Sequence, residues 1–355
     1  MPPKVSAKGK LEGRTVAGRY LVRSTLGTGG SATVYEAEDT SFGRLVALKI
    51  PHDDVKPNSV PAKRLLREAR ASASVGHPNV CQVTEIGTMP SGSPFVVMER
   101  LVGETLRDRI SAEGKLPLGD LVDVLMQLLS GLGAAHERGI IHRDVKPENI
   151  FLSRRAGCPA LVKILDFGLV STDTTIREEL TQVGMVVGTP YYLAPEQVRG
   201  VRDFDPRVDL YACGVVLYEA GTGRRPFTAA NVAALFREIL SANPVPFAEL
   251  RRDAPPGLLD VIRRAMAPSP TARFGSVGEF QLALSRVKVP PPTAAPIAPF
   301  PKPARERPLP AFDIGLDEQT RHEGGRTSRS SLVVEVPEDE EWEQVTLKKP
   351  PPRRA

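Results

Sequence analysis

The sequence predicts an α+β protein of two lobes, a small antiparallel sheet carrying one helix followed by a larger, mainly helical lobe. Three features lead there. Residues 20–98 are dominated by short β-branched and apolar runs separated by turn residues, and beyond residue 100 the hydrophobic period lengthens to that of helices. Near residue 288 the composition changes to linker chemistry, with nine of the 34 prolines falling in residues 290–310.

In chain order, Tyr20–Leu26, Ala32–Glu38, Val46–Ile50, Gln82–Gly87 and Pro94–Met98 read as strands of the small sheet. Ala62–Ser74 reads as its helix, because Leu65, Leu66 and Ala69 recur at helical spacing among Arg64, Arg67, Glu68 and Arg70, with Gly76 and Pro78 as the stop signal. Leu118, Leu121, Val122, Leu125, Leu128, Leu129 and Leu132 mark one face of a long helix ending near Gly139. Leu161–Leu165 is an apolar, strand-like run, and Pro195–Val198, Val208–Gly221, Asn231–Ser241, Leu258–Met266 and Val277–Arg286 are further helices. The chain therefore divides into a disordered basic tail (1–18), a folded domain (19–287, with lobes 19–98 and 102–287), a Pro-rich linker (288–310) and a disordered tail (311–355).

A net charge of +5 over 355 residues and a pI near 9.1, with acidic and basic residues interspersed, argue against nucleic-acid binding. Cys81, Cys158 and Cys213 are far apart, without CxxC spacing or neighbouring histidines, which indicates neither a disulfide framework nor a zinc site. The apolar stretches around Leu121–Leu132 and Leu210–Leu217 are short or interrupted, and no apolar signal core opens the chain. A soluble, cytoplasmic protein with no membrane span is expected.

Gly27-Thr28-Gly29-Gly30-Ser31-Ala32-Thr33-Val34 lies between two strands, where a glycine-rich hairpin can lower its N–H groups onto phosphates. By itself such a segment is better explained as a ligand-free tight turn. Val46-Ala47-Leu48-Lys49 ends an apolar strand on a lysine; alone this fits a solvated strand end equally, whereas a pairing with Glu68 would hold the ammonium toward nucleotide phosphates. More specific is His142-Arg143-Asp144-Val145-Lys146-Pro147-Glu148-Asn149, followed by Asp166-Phe167-Gly168. Phosphoryl transfer needs oxygen ligands for a divalent metal and a carboxylate beside the attacking hydroxyl. Asn149 and Asp166 suit the first requirement, and Asp144 suits the second.

With these landmarks in order from Tyr20 to Val287, joined by Gly188-Thr189-Pro190, Ala194-Pro195-Glu196, Asp209 and Arg273, the chain resembles the eukaryotic-type (Hanks-type) serine/threonine protein kinases, and its phrasing around Ala194 and Leu210 looks like the bacterial branch. The resemblance implies the two-lobed protein kinase fold and transfer of the ATP γ-phosphate to Ser/Thr hydroxyls of protein substrates, with Mg²⁺ or Mn²⁺. It implies that Leu26, Gly27, Gly29, Gly30, Ala32, Val34, Ala47, the gatekeeper Met98 and the hinge residues Glu99 and Leu101 bind ATP. Lys49 with Glu68 would hold its phosphates, Asp144 would orient the substrate hydroxyl, Lys146 would neutralise the γ-phosphate, and Asn149 with Asp166 would bind the metal. Glu196 with Arg273 would anchor the substrate platform, and Asp209 would brace the catalytic loop. The alternative is a catalytically silent scaffold of the same fold, which retention of Lys49, Asp144, Asn149 and Asp166 opposes.

One position departs from the family pattern. Ala32 stands where the third loop glycine is expected, and the expectation is a weakened but functional ATP lid, strained if φ there is positive. Between Asp166 and Glu196, Thr172, Thr174, Thr175, Thr181 and Thr189 mark an activation segment. Phosphorylation at Thr181, Thr174 or Thr175, gripped by Arg143 and exchanged in a transient homodimer by trans-autophosphorylation, is the expected control.

Overall fold

The structure, a computed structural model, describes residues 11–294 apart from 31, 53–56, 58, 156, 169–189 and 202–203. Six strands, β1 (Thr15–Val16), β2 (Tyr20–Thr28), β3 (Ala32–Asp39), β4 (Arg44–Pro51), β5 (Val83–Thr88) and β6 (Pro94–Glu99), form one antiparallel sheet in the order β1-β2-β3-β4-β6-β5. Alternation builds its core: Tyr20, Val22, Tyr35, Ala37, Val46, Leu48, Phe95 and Val97 pack together on one face. Helix α1 (Val60–Val75) covers the other face through Leu65 and Ala69 against Val96. It begins where the Ser59 side chain accepts the Ala62 N–H, with Pro61 in the first turn, and stops at Gly76, whose φ of 59° is a left-handed cap.

The larger lobe also carries a second sheet, of which only the apolar run at Leu161–Leu165 stood out in the sequence. β7 (Gly103–Thr105), β8 (Ile150–Ser153) and β9 (Leu161–Ile164) pair antiparallel in that order. Helix α2 (Leu106–Glu113) is opened by a reciprocal cap between Thr105 and Asp108. It buries only Leu106 and Ile110, too few for a periodic signal. The remaining helices are α3 (Leu118–His136), α4 (Pro195–Val198), α5 (Arg207–Thr222), α6 (Val232–Ser241), α7 (Phe247–Leu250), α8 (Pro256–Ala265) and α9 (Val277–Ser285). By length and composition α3 would suffice to cross a bilayer, yet its apolar residues pack into the core. Helix α5 is buried on every side from Val208 to Gly221 and is the hub of the lobe. Gly214 is required there, since a Cβ would lie 2.8 Å from that of Ala265 on α8.

Both expected domain edges need correction. Residues 11–18 are not a disordered tail: β1 pairs with β2, Gly13 N–H donates to the Val22 carbonyl (2.9 Å), and Val16 is buried. The proline-rich stretch does not leave the domain at residue 288 either. Val289 packs against the core, the Pro290 and Pro291 carbonyls occupy the space a Cβ at Gly119 would need, and Thr293 N–H donates to Asp120 Oδ1. Two-residue strands and irregular chain packed on a helix carry no periodic signature, so composition alone misplaces such edges.

The lobes are joined behind the sheet. Val80 bridges Ile164 in parallel, Cys81 N–H donates to the Ile164 carbonyl (2.9 Å), and Asn79 Nδ2 donates to the Val162 carbonyl (2.9 Å). This seam fixes β9, and with it Asp166, relative to the small sheet.

Candidate active site

The loop from His142 to Lys146 is irregular, and Pro147–Asn149 forms one 3₁₀ turn before β8. Arg143 has a φ of 66°, a left-handed conformation that costs a residue with a Cβ about 1–2 kcal/mol. Asp209, in the first turn of α5 and 1% exposed, opposes that cost: its carboxylate accepts the N–H groups of His142 and Arg143 (both 2.8 Å) and bonds His136 Nε2 (2.7 Å). His142 adds a second tie, accepting the Asp144 N–H at Nδ1 (3.2 Å) and donating from Nε2 to the Leu165 carbonyl (3.1 Å), with its ring 4.9 Å from Phe167.

These ties aim the polar side chains. Asp144 Oδ2 accepts from Lys146 Nζ (2.7 Å) and Asn149 Nδ2 (3.0 Å), and Asn149 Nδ2 also reaches the Asp144 carbonyl (2.9 Å). Gly168 closes over this loop, where a Cβ would collide with that of Asp144. From the other lobe, Lys49 Nζ lies 2.6 Å from Asp166 Oδ1 and 3.7 Å from Glu68 Oε2, while Glu68 Oε1 accepts from Arg64. Burial opposes charge on Lys49, but Asp166 and Glu68 outweigh it and hold its pKa above the ordinary lysine value. The ammonium is therefore charged at any working pH.

Between the lobes lies a cavity of about 480 Å³. Leu26, Gly27, Val34, Ala47, Lys49, Glu68, Met98, Glu99, Leu101 and Asp166 line it; Gly29, Gly30 and Ala32 do not. The Glu99 carboxylate is engaged by the Gln82 N–H and Lys163 Nζ (both 2.7 Å), and the Glu99 N–H donates to the Gln82 carbonyl (3.0 Å). Arg100 ties the hinge to β3 through Glu36 (2.6 Å) and donates to the Leu101 carbonyl. Cys81, Val83, Val96, Phe151 and Leu165 also line the cavity and went unrecognised in the sequence. The alternation of β8 could have found Phe151, because Ile150 and Leu152 point into the core. Burial pushes the Cys81 thiol up to about 12, which leaves it protonated and unreactive.

Strain at Ala32 is not present. Its φ is not positive; it is buried and pairs with Pro51 at the start of β3, while Gly29 N–H donates to its carbonyl (2.9 Å) to close the hairpin. The expected weakening of the lid therefore loses its physical basis. Ala32→Gly is expected to leave the ATP KM unchanged within about twofold, since a Gly in a strand gains only freedom; steady-state kinetics at varied ATP checks this.

On the far side of the catalytic loop, Arg273 makes a bidentate pair with Glu196 (2.7 Å to each oxygen). Its remaining donors reach the carbonyls of Ala267, Pro268 and Arg207, and its guanidinium stacks 4.8 Å from the Tyr211 ring centroid. The Arg143 guanidinium sits 5.3 Å from the Phe204 ring centroid. Thr172, Thr174, Thr175, Thr181, Gly188 and Thr189 lie outside the described residues.

A family model described as "Protein kinase domain" matches residues 20–281. Serine/threonine-protein kinase pkn3 of Myxococcus xanthus is 37% identical over 279 residues, covering 78% of this chain and 51% of the relative. Serine/threonine-protein kinase Pkn1 of the same organism is 39% identical over 282 residues, covering 79% and 40%. Serine/threonine-protein kinase PksC of Streptomyces coelicolor is 34% identical over 277 residues, covering 76% and 49%. The chain thus spans about half or less of the length of these curated relatives. Among solved structures, the Mycobacterium tuberculosis PknI kinase domain superposes with a TM-score of 0.59 at 27% identity, covering 77% of this chain and 98% of that one. Rad53 1–466 in complex with AMP-PNP gives 0.61 at 25%, covering 74% and 64%.

Proposed function

The chain belongs to the protein kinase domain family, and from that premise we propose that it is a serine/threonine protein kinase, transferring the ATP γ-phosphate to Ser and Thr hydroxyls of protein substrates. The observation that carries the reading is that Lys49, from the small lobe, meets Asp166 at the interlobe cavity, while Asp144, Lys146 and Asn149 bond one another on the loop whose Asn149 carbonyl accepts the Leu165 N–H (2.8 Å). ATP fits that cavity with its base among Val34, Ala47, Met98 and Phe151 and against the hinge backbone at Glu99 and Leu101.

The donors available to a metal are the Asn149 amide and the Asp166 carboxylate, hard oxygen ligands of the kind Mg²⁺ or Mn²⁺ takes. Among the described residues no group of three or more His, Cys, Asp or Glu side chains could hold a metal alone, so nucleotide phosphates and water would complete the coordination. Bound there, the ion would neutralise phosphate charge. Lys49, fixed by Glu68, orients the phosphates; Asp144 accepts the hydrogen bond of the substrate hydroxyl and aligns it for attack; Lys146, 2.7 Å from Asp144, offers charge to the transferring group. Lys146 two residues after Asp144 favours the serine/threonine class. Control by autophosphorylation at Thr181, Thr174 or Thr175 within a transient homodimer belongs to the same proposal.

Incubation with γ-labelled ATP, Mg²⁺ and a generic protein substrate tests it. Acid-stable label on serine and threonine is expected. A protein that binds an ATP analogue yet labels nothing, itself included, is the silent scaffold instead.

A further inference from the structure

The seam that joins the lobes is closed by a histidine that neither lines the cavity nor takes part in phosphoryl transfer. His77 lies in the turn that follows α1, where its carbonyl accepts the Val80 N–H (2.9 Å). Its ring holds the same turn from the side. Nδ1 accepts the Asn79 N–H (3.1 Å), so the neutral ring carries its proton on Nε2, which donates to Ser130 Oγ on α3 (3.3 Å). Asn79 is buried, at 7% exposure, and bonds run from it into the larger lobe. Its carbonyl accepts the Ile164 N–H (2.8 Å), and its amide donates to the Val162 carbonyl (2.9 Å) and to Gln127 Oε1 (3.2 Å).

Only the neutral ring makes both bonds. A protonated imidazole has two N–H donors and no acceptor, which leaves the Asn79 N–H facing a donor in a place that water barely reaches. The charged groups that face the ring are Glu137 and Arg138, which follow α3, and Lys163 on β9. Burial weighs most against a charge on His77, Arg138 and Lys163 add to it, and Glu137 opposes them, so the ring titrates below the ordinary histidine value. By linkage, the bond from Asn79 contributes in full above about pH 6.5 and is lost as the pH falls through the lowered value.

We propose that His77 is a pH-sensitive latch on the interlobe seam: neutral, it fixes Asn79 and through it β9; protonated, it releases Asn79 and lets the small lobe shift against β9. The contact of Lys49 with Asp166 (2.6 Å) depends on that seam and loosens with it.

Amide hydrogen exchange at pH 7.5 and 5.5, corrected for intrinsic rates, tests the latch on the full chain as wild type, His77→Asn and His77→Gln. The Asn amide oxygen takes the place of Nδ1 and never titrates, whereas the Gln side chain reaches only toward Ser130. In wild type, protection of the Cys81 and Ile164 amides should fall about three- to tenfold at pH 5.5, the worth of one hydrogen bond, while the amides of α5 keep theirs. His77→Asn should hold its protection at both pH values, and His77→Gln should show the lowered protection already at pH 7.5. An ATP analogue at pH 5.5 should bind His77→Asn about threefold more tightly than wild type, the nucleotide's own titration being common to both. If His77→Gln does not fold, wild type against His77→Asn decides alone. Wild-type protection that does not change with pH overturns the proposal. So does a His77→Asn variant that loses as much protection as wild type, a loss shared equally by α5, or equal binding of the analogue.

Discussion

Asp144→Asn lowers the rate of phosphoryl transfer by a factor of about 10²–10⁴, the usual contribution of a positioned proton acceptor, and leaves nucleotide affinity nearly intact. The asymmetry follows from the geometry. Asp144 does not line the interlobe cavity, so the adenine and the phosphates keep their contacts with the hinge, Lys49 and Asp166. What changes is the acceptor at Oδ2, which holds Lys146 at 2.7 Å and Asn149 at 3.0 Å. An amide at this position still fits, since the side chain is isosteric, but it carries no charge to hold Lys146 and is a poor acceptor for the substrate proton. Fluorescence titration with an ATP analogue, set beside initial rates of label transfer, separates the two effects. A variant that retains a tenth or more of the wild-type rate would show that another group positions the hydroxyl.

Arg273→Ala destabilises the domain by about 3–5 kcal/mol, because it strands the Glu196 carboxylate in the interior without its partner. Arg273 is fully buried and donates to both oxygens of Glu196 and to three backbone carbonyls, which would all lose a donor together. For a domain of this size the loss corresponds to a fall in Tm on the order of 10 °C. Arg273→Lys recovers little of it, since an ammonium cannot reproduce the fork that meets Glu196 at 2.7 Å on both sides. Differential scanning fluorimetry of the three proteins checks the order. Neither Arg273 nor Glu196 lines the cavity, so the ATP KM of whatever fraction remains folded should match wild type. A Tm within 2 °C of wild type for Arg273→Ala, on the same scale, would mean that the pair is dispensable.

Some elements were legible in the chain and others were not, and the division has a physical origin. Strands β2, β3, β4 and β6 and helices α1, α3, α5 and α8 announce themselves because each buries one face, or all faces, over enough residues for a period to appear. Strands β1, β7 and β8 have two to four residues, and α2 buries only two side chains, so their periods never accumulate. The same distinction runs through the site. Asp144, Lys146 and Asn149 could be grouped from the sequence because five residues of loop hold them together. The hinge contact of Arg100 with Glu36 joins residues 64 positions apart, Phe151 lies on a strand too short to foresee, and Cys81 lies on irregular chain before β5, so none of them carries a local signal.

The residue types alone determined that this chain builds a two-lobed domain with the oxygen and ammonium groups of phosphoryl transfer, since those chemical demands are met by few side chains at narrow spacing. Tertiary packing alone decided how they meet. Lys49 reaches Asp166 across 117 residues only because Asn79, Val80 and Cys81 pin the small sheet to β9. Ala32 escapes strain only because the ladder with Pro51 keeps it extended. Arg143 stays in a left-handed conformation only because the buried Asp209 holds the two N–H groups around it. Backbone conformation and long-range pairing are properties of the packed whole, where many weak contacts outweigh what any single residue prefers.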